Sequence, residues 1–286
     1  MGHSVLIIGN GFDLNLGLRT SYKDYMSSSF FRNHLNLDNE LFDYLANKTD
    51  VENWIDIEKE LANFSRTKKD YGSFKHDYFL LCETLKDYLT SLDLTNINQA
   101  SEAYEFLVNS FSENTTILNF NYTNSVHHIL ERASFPNELI LQNVTHVHGS
   151  VIGENIIFGV DDKARINADD TFLYKSTSSN YSGRVVRAAL RDFDDLKIFG
   201  HSLGESDHMY FKEPIFRLGG DLNFGEKLDK KMALYYYEDE GKYQLYKQLH
   251  KLTMSHVAGL KDNVLFNEFD TSLKEYLKQN LEHHTF

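Results

Sequence analysis

Cysteine, tryptophan and proline are what this 286-residue chain has least of: one, one and two residues respectively. A single thiol, Cys82, forbids an internal disulfide and cannot furnish a cysteine-rich zinc site. Two Pro and 16 Gly exclude collagen-like and low-complexity disordered chains. Basic charge is short as well: 29 Lys and Arg stand against 42 Asp and Glu, a net charge of −13. That balance disfavours a constitutive binder of nucleic acid, which must neutralise phosphates with Lys and Arg. Long apolar runs are missing too. The N-terminal run Val5-Leu6-Ile7-Ile8 is four residues long, far below a signal-peptide core or the roughly 18 residues of a membrane span. The expectation is a soluble, cytoplasmic protein with no membrane association. The length allows one large or two small domains, with enough buried surface to need no covalent staples.

The texture changes along the chain. The run at 4–8 ends in Gly9 and reads as a buried strand feeding a turn. Residues 23–111 then look helical. In 74–92, Phe74, Tyr78, Leu81, Leu85, Leu89 and Leu92 recur at spacings of three and four; Trp54, Ile57, Leu61 and Phe64 do the same. After residue 111 short apolar runs dominate. Candidate strands lie at 116–120, 139–142, 145–148, 156–159, 196–200 and 232–237, with helical patterns at 101–111, 184–192, 241–255 and 270–281. Strands alternating with helices predict an α/β fold with a Rossmann-like parallel sheet covered on both faces. The division predicted is an α/β core of residues 1–22 and 112–286, interrupted after its first strand by a helical insertion at 23–111.

In an open α/β sheet, ligands bind beyond the carboxyl ends of the strands, and four unusual segments fall there. Gly9-Asn10-Gly11-Phe12-Asp13 follows the first strand. Its glycines permit a tight turn and close approach of backbone N–H groups to a phosphate, or simply a strand-to-helix turn. Leu14 stands where a dinucleotide fingerprint would place its third Gly, which argues against hydride-transfer chemistry. Asn119-Phe120-Asn121-Tyr122-Thr123 closes the strand at 116–120 and offers amides for orienting a ligand or capping a turn. His146-Val147-His148-Gly149 could bind metal, supply a general base or be structural; no partner ligands stand out, so no metal is expected. Gly200-His201-Ser202-Leu203-Gly204 precedes Glu205-Ser206-Asp207-His208. Such a loop suits ribose hydroxyls and phosphates, although its letters also fit a serine-hydrolase nucleophile elbow.

The order of these motifs resembles the sirtuin superfamily of NAD-consuming folds, which runs Gly-Ala-Gly, Thr-X-Asn-X-Asp, His-Gly and Gly-X-Ser. It is more closely similar to the AbiH family of bacteriophage abortive-infection proteins, with Gly-Asn-Gly-Phe-Asp-Leu, Phe-Asn-Tyr-Thr, His-X-His-Gly and Gly-His-Ser-Leu-Gly-X-X-Asp, all present between Gly9 and Asp207. Trp54-Ile55-Asp56-Ile57-Glu58 matches that family's Trp-X-Asp-X-Glu. The resemblance implies a phage-defence protein with a sirtuin-type site that hydrolyses the nicotinamide–ribose bond of NAD. Asn121 would orient the ribose and the attacking water, and His148 would accept a proton. Gly9 and Gly11 would approach the pyrophosphate, Ser202 would contact the adenosine side, and Asn10, Phe12, Asp13 and Asp207 would complete the cofactor-binding set. Glu58 would reach the cleft as an acid/base group or ribose ligand, or else form a surface salt bridge.

Departures from the sirtuin pattern shape the expectation. Thr123 replaces an Asp, Asn119 replaces a Thr, and Asp13 replaces a Ser. One cysteine cannot supply the deacylases' zinc module, so glycosidic hydrolysis fits better than deacylation. The rival readings are a sensor that binds NAD or ADP-ribose without cleaving it, a nucleic-acid-directed effector, and a serine hydrolase acting through Ser202. A homo-oligomer or a phage-derived trigger is the expected control on activity.

Overall fold

The computed structural model describes residues 2–37, 39–49, 56–68, 72–153, 156–219 and 229–272. Six strands form one all-parallel sheet: β1 (Ser4–Ile8), β2 (Thr115–Asn119), β3 (Val144–His146), β4 (Asp195–Phe199), β5 (Lys231–Tyr236) and β6 (Leu265–Asp270). Their order across the sheet is β3-β2-β1-β4-β5-β6. The order reverses between β1 and β4, the doubly wound arrangement in which a ligand crevice opens at the carboxyl ends of those two strands.

Strand alternation explains why both faces are covered. Val5 and Ile7 point into one cluster with Ile198, Phe211, Ile215, Leu249 and Leu260. Leu6 and Ile8 point into the other, with Phe12, Phe106, Leu107, Ile129 and Ile140. All four β1 side chains are fully buried, each worth roughly 1.5–3 kcal/mol relative to exposure. On the first face lie α10 (Gly183–Ala189), α11 (His208–Gly219), α12 (Glu238–Leu252) and α13 (Val257–Asn263); on the second lie α1 (Asn10–Asn15), α7 (Glu102–Ser110), α8 (Ser125–Arg132) and α9 (Asn137–Asn143).

Between α1 and α7 run α2 (Tyr22–Ser27), α3 (Ser29–Arg32), α4 (Glu40–Thr49), α5 (Ile57–Thr67) and α6 (Phe74–Thr90). They enclose their own aromatic core, built from Tyr25, Phe31, Phe42, Phe64, Phe74 and Tyr78, onto which Phe158, Val160 and Leu173 pack. The periodic residues of α6 are those buried: Phe74, Tyr78, Leu81, Leu85 and Leu89. Trp54, the first residue of the other expected helical stripe, lies outside the described residues. Helix α7, by contrast, packs against the sheet through Ala103, Phe106 and Leu107.

Three expected elements differ. Residues 139–142 form part of α9, not a strand; Pro136 sets the helix entry and Glu138 sits favourably in its first turn. Residues 156–159 join no strand: Ile157 N–H bonds His148 O, and only an isolated bridge, Val160 to Tyr174, forms next to them. The helix expected from residue 270 is contradicted at its start, because Asp270 closes β6; residues 273–281 lie outside the described residues.

Candidate active site

Two polar assemblies stand at the carboxyl ends of the strands. The first ties α1 to the segment after β2. Asp13 is fully buried and accepts hydrogen bonds from Thr123 Oγ1 and Ser125 Oγ, both at 2.6 Å. Burial pushes its carboxyl up to about 6, against the lowering effect of its hydrogen bonds with Ser125, Thr123 and Asn121. Beside it, Asn121 Nδ2 donates to Gly9 O at 3.1 Å, and the Asn121 N–H donates to Asn119 Oδ1. His146 Nδ1 donates to the Asn121 carbonyl at 3.1 Å, and its ring stacks on His127. Burial lowers His146 to about 4. Asp13 and Thr123, which stand 110 positions apart in the sequence, are therefore partners in one tie.

The glycine turn is occupied by protein. Gly11 N–H donates to Gly200 O at 2.8 Å, and Phe12 N–H to Gly9 O at 2.9 Å. A Cβ on Gly11 would stand 2.7 Å from Gly200 Cα, and one on Gly200, whose φ is +63°, 2.3 Å from Phe12 N. These glycines let the β1 and β4 turns interlock across the point where strand order reverses. Phe12 turns away into the apolar core, edge-on to Phe199. Asn10 is half-buried and Ser202 exposed. The left-handed residues of the β4 loop are Gly200 and Leu203, flanking Ser202, so the strained nucleophile of a serine-hydrolase elbow is not reproduced.

The second assembly is charged. Asp207, in the turn before α11, is the hub. Lys175 Nζ donates to its Oδ1 at 2.8 Å, His148 Nε2 lies 3.0 Å from the same oxygen, off the line of a straight hydrogen bond, and His201 Nε2 lies 3.4 Å from Oδ2. His201 Nδ1 accepts the Leu203 N–H at 2.9 Å, which leaves the ring proton on Nε2, facing Asp207. Lys175 also reaches both oxygens of Glu58, at 3.0 and 3.1 Å. Burial alone would raise Asp207, but the charge of Lys175 first, and the two facing imidazoles of His148 and His201 next, outweigh it and hold the carboxyl well below the usual carboxylate range. Burial likewise opposes charge on Lys175, and the two carboxylates more than reverse that, raising it.

Local structure explains how Glu58 arrives. The Asp56 side chain caps α5 by accepting the Lys59 N–H at 3.1 Å, which puts Glu58 in the first turn. Glu58 is 7% exposed, so its ion pair is an interior one and not the surface salt bridge of the alternative reading. Asp56 is itself raised to about 6, by burial first and by Glu58 next. Phe120 separates the two assemblies: its ring meets His148 edge-on at 5.2 Å and His201 at 4.3 Å. Tyr22 and Tyr122, both half-buried, lie within the field of Glu58 and Asp207, and Tyr122 sits 6.3 Å from the His148 ring.

The structure thus brings Glu58, His148 and Asp207 together, and brings Gly9, Asp13 and Asn121 together beside them. The two histidines of His-Val-His part company: His146 serves the Asn121 peptide and His148 serves Asp207. Lys175 and the tuning role of His201 are absent from the sequence reading. His201 could have been found inside the Gly-His-Ser motif; Lys175 carries no motif. Among the described residues no group of three His, Cys, Asp or Glu side chains could hold a metal ion, and no helix is long and apolar enough to cross a membrane.

No curated protein and no solved structure matches the chain. A family model does, described as bacteriophage abortive infection AbiH, over residues 5–114 and 73–221. These spans take in the glycine turn, α5, Asn121, His148, Lys175 and Asp207, and the chain belongs to the AbiH family of bacteriophage abortive-infection proteins.

Proposed function

We propose that this protein acts in phage abortive infection as a glycohydrolase that cleaves the nicotinamide–ribose bond of NAD. The observation that carries the reading is the charge of the His148–Asp207 assembly. Two buried acids, Glu58 and Asp207, bind one lysine, and the carboxylate of Asp56 stands near enough to feel all three. Breaking the glycosidic bond sends its electron pair to the pyridinium nitrogen, which becomes neutral, while positive charge develops on the ribose. An acidic, weakly solvated site stabilises that cation where a basic one would oppose it. Water then adds to the ribose carbon and its proton goes to His148. Asp207 takes the Nε2 side of that ring, and Nδ1 has no hydrogen-bond partner among the described residues, which suits it to the proton. Asn121 shapes the neighbouring wall by holding Gly9. Because the Gly11 and Phe12 N–H groups are engaged within the protein, the phosphates of the nucleotide are assigned to the surface by Asn10 and Ser202.

The test is nicotinamide release from NAD by the purified full chain. His148→Ala should lower turnover by about 100-fold or more with the fold intact, and Asn121→Ala should lower it too. Wild-type rates in both variants would overturn the proposal. One observation favours a second reading, a sensor that holds NAD or ADP-ribose uncleaved: the Asn121 amide is spent on Gly9 O. Saturable NAD binding without nicotinamide release would decide for the sensor.

A further inference from the structure

Lys175 lies in none of the sequence motifs. It opens a short 3-10 turn, Lys175–Thr177, whose start is pinned by backbone bonds: Lys175 N–H to Val160 O at 3.0 Å and Val160 N–H to Leu173 O at 2.8 Å. The residue is 1% exposed. A lysine that loses water must recover its hydration inside the protein or give up its proton. Lys175 does the former with three oxygen contacts, one on Asp207 and two on Glu58. Its ammonium therefore fixes two carboxylates from segments far apart in sequence against a single point, and so fixes the face that Asp207 turns to His148.

Resting on the glycohydrolase reading, we infer that Lys175 is a positioning residue of the site: by bridging Asp207 and Glu58 it keeps Asp207 ionised and aimed at His148. Its charge prevents it from acting as a base or nucleophile, because both carboxylates hold the proton on it. The groups facing Asp207 are Lys175 from the 3-10 turn, His148 from beyond β3, His201 from beyond β4, Glu58 from α5 and Asp56 at its cap, Tyr210 from α11, Tyr22 from α2 and Tyr122 from the segment after β2. Lys175 is the only one of these that brings a permanent positive charge. Its removal strips Asp207 of that partner while the histidine contacts and the neighbouring acids stay.

Lys175→Met alone would leave two buried carboxylates facing each other and could fail to fold. The informative variant is therefore Lys175→Met with Glu58→Gln, which removes one charge of each sign; Glu58→Gln alone is its control. Two readouts apply. In the first, carboxyl carbon NMR follows the protonation of Asp207. The double variant should take up that proton at least about one pH unit above the control. In the second, nicotinamide release should show kcat down by about tenfold or more against the control, with KM changed less than about twofold, and Lys175→Arg in place of Met should recover part of the loss. An Asp207 titration that does not move between control and double variant overturns the inference, as does equal kcat in both. If the wild-type chain releases no nicotinamide, the glycohydrolase reading falls, and the Asp207 titration still decides the role of Lys175.

Discussion

Asp13 and Asp207 are both buried aspartates at the carboxyl end of the same sheet, yet their surroundings drive them in opposite directions. Asp13 is met by two hydroxyls, Asp207 by an ammonium and two imidazoles. Neutral donors leave most of the desolvation cost standing, so the Asp13 carboxyl rises to about 6; a cation at 2.8 Å more than cancels it for Asp207. The difference teaches that burial alone does not mark a working acid. Asp13 joins two loops and approaches neutrality when the medium turns mildly acidic, whereas Asp207 keeps its charge throughout the physiological range.

The largest break in that comparison should come from Asp207→Ala. It leaves Lys175 with one carboxylate and His148 and His201 without their acceptor. Unfolding in urea should show a loss of about 3–5 kcal/mol, and nicotinamide release should fall to background. Next in size is a pH effect. Asp13 has a raised folded pKa, so its contribution to stability is fully present below its ordinary value of 3.8 and is lost as pH rises through about 6. Measured against Asp13→Asn, wild-type stability should therefore increase by about 3 kcal/mol between pH 7 and pH 3.5. Asp207 has the opposite sign: its contribution is present above the ordinary carboxylate range and lost only below it, so the Asp207→Ala difference should stay flat from pH 7 to pH 4. An Asp13→Asn difference that is equally flat would erase the contrast. Thr123→Val should cost about 2 kcal/mol at pH 7, the loss of one hydrogen bond to a charged acceptor, and less at pH 4, once Asp13 has taken its proton. The smallest effect is expected for Asn121→Ala, which removes a bond to Gly9 O and a weak one that favours ionised Asp13; it should lower stability by about 1 kcal/mol at pH 7 and slightly less at pH 4.

Much of the sheet was legible because parallel strands buried on both faces read as short unbroken apolar runs. Val5–Ile8, Ile117–Leu118 and Leu196–Phe199 stand out for that reason. Leu139–Gln142 misled because four residues are too few to separate a strand from a helix by period. Strand β6 was missed because it is the sheet edge: Leu265 and Phe269 are exposed and Asn267 and Glu268 interrupt the run. Helix α11 escaped because Pro214 lies inside it, where a break is expected. In the site, the motifs located the strand ends but not the division of labour among them. Gly9, Gly11 and Gly200 signal close approach of backbone, and only coordinates reveal that the approaching backbone is the protein's own. Lys175 was invisible because a buried lysine and a surface lysine are the same letter, and its meaning lies wholly in Glu58 and Asp207.

Those two partners sit 117 and 32 positions away along the chain. No local segment can satisfy Lys175, so its charge remains a cost to any arrangement in which α5 has not yet come to rest against the loops beyond the sheet. A conformer with α5 withdrawn leaves Lys175 with Asp207 alone and Glu58 without its cation, and is correspondingly rare. The same contact that orders the acid thus couples the aromatic helices to the sheet in an all-or-none way, and loosening either partner should be felt at once in both halves of the molecule.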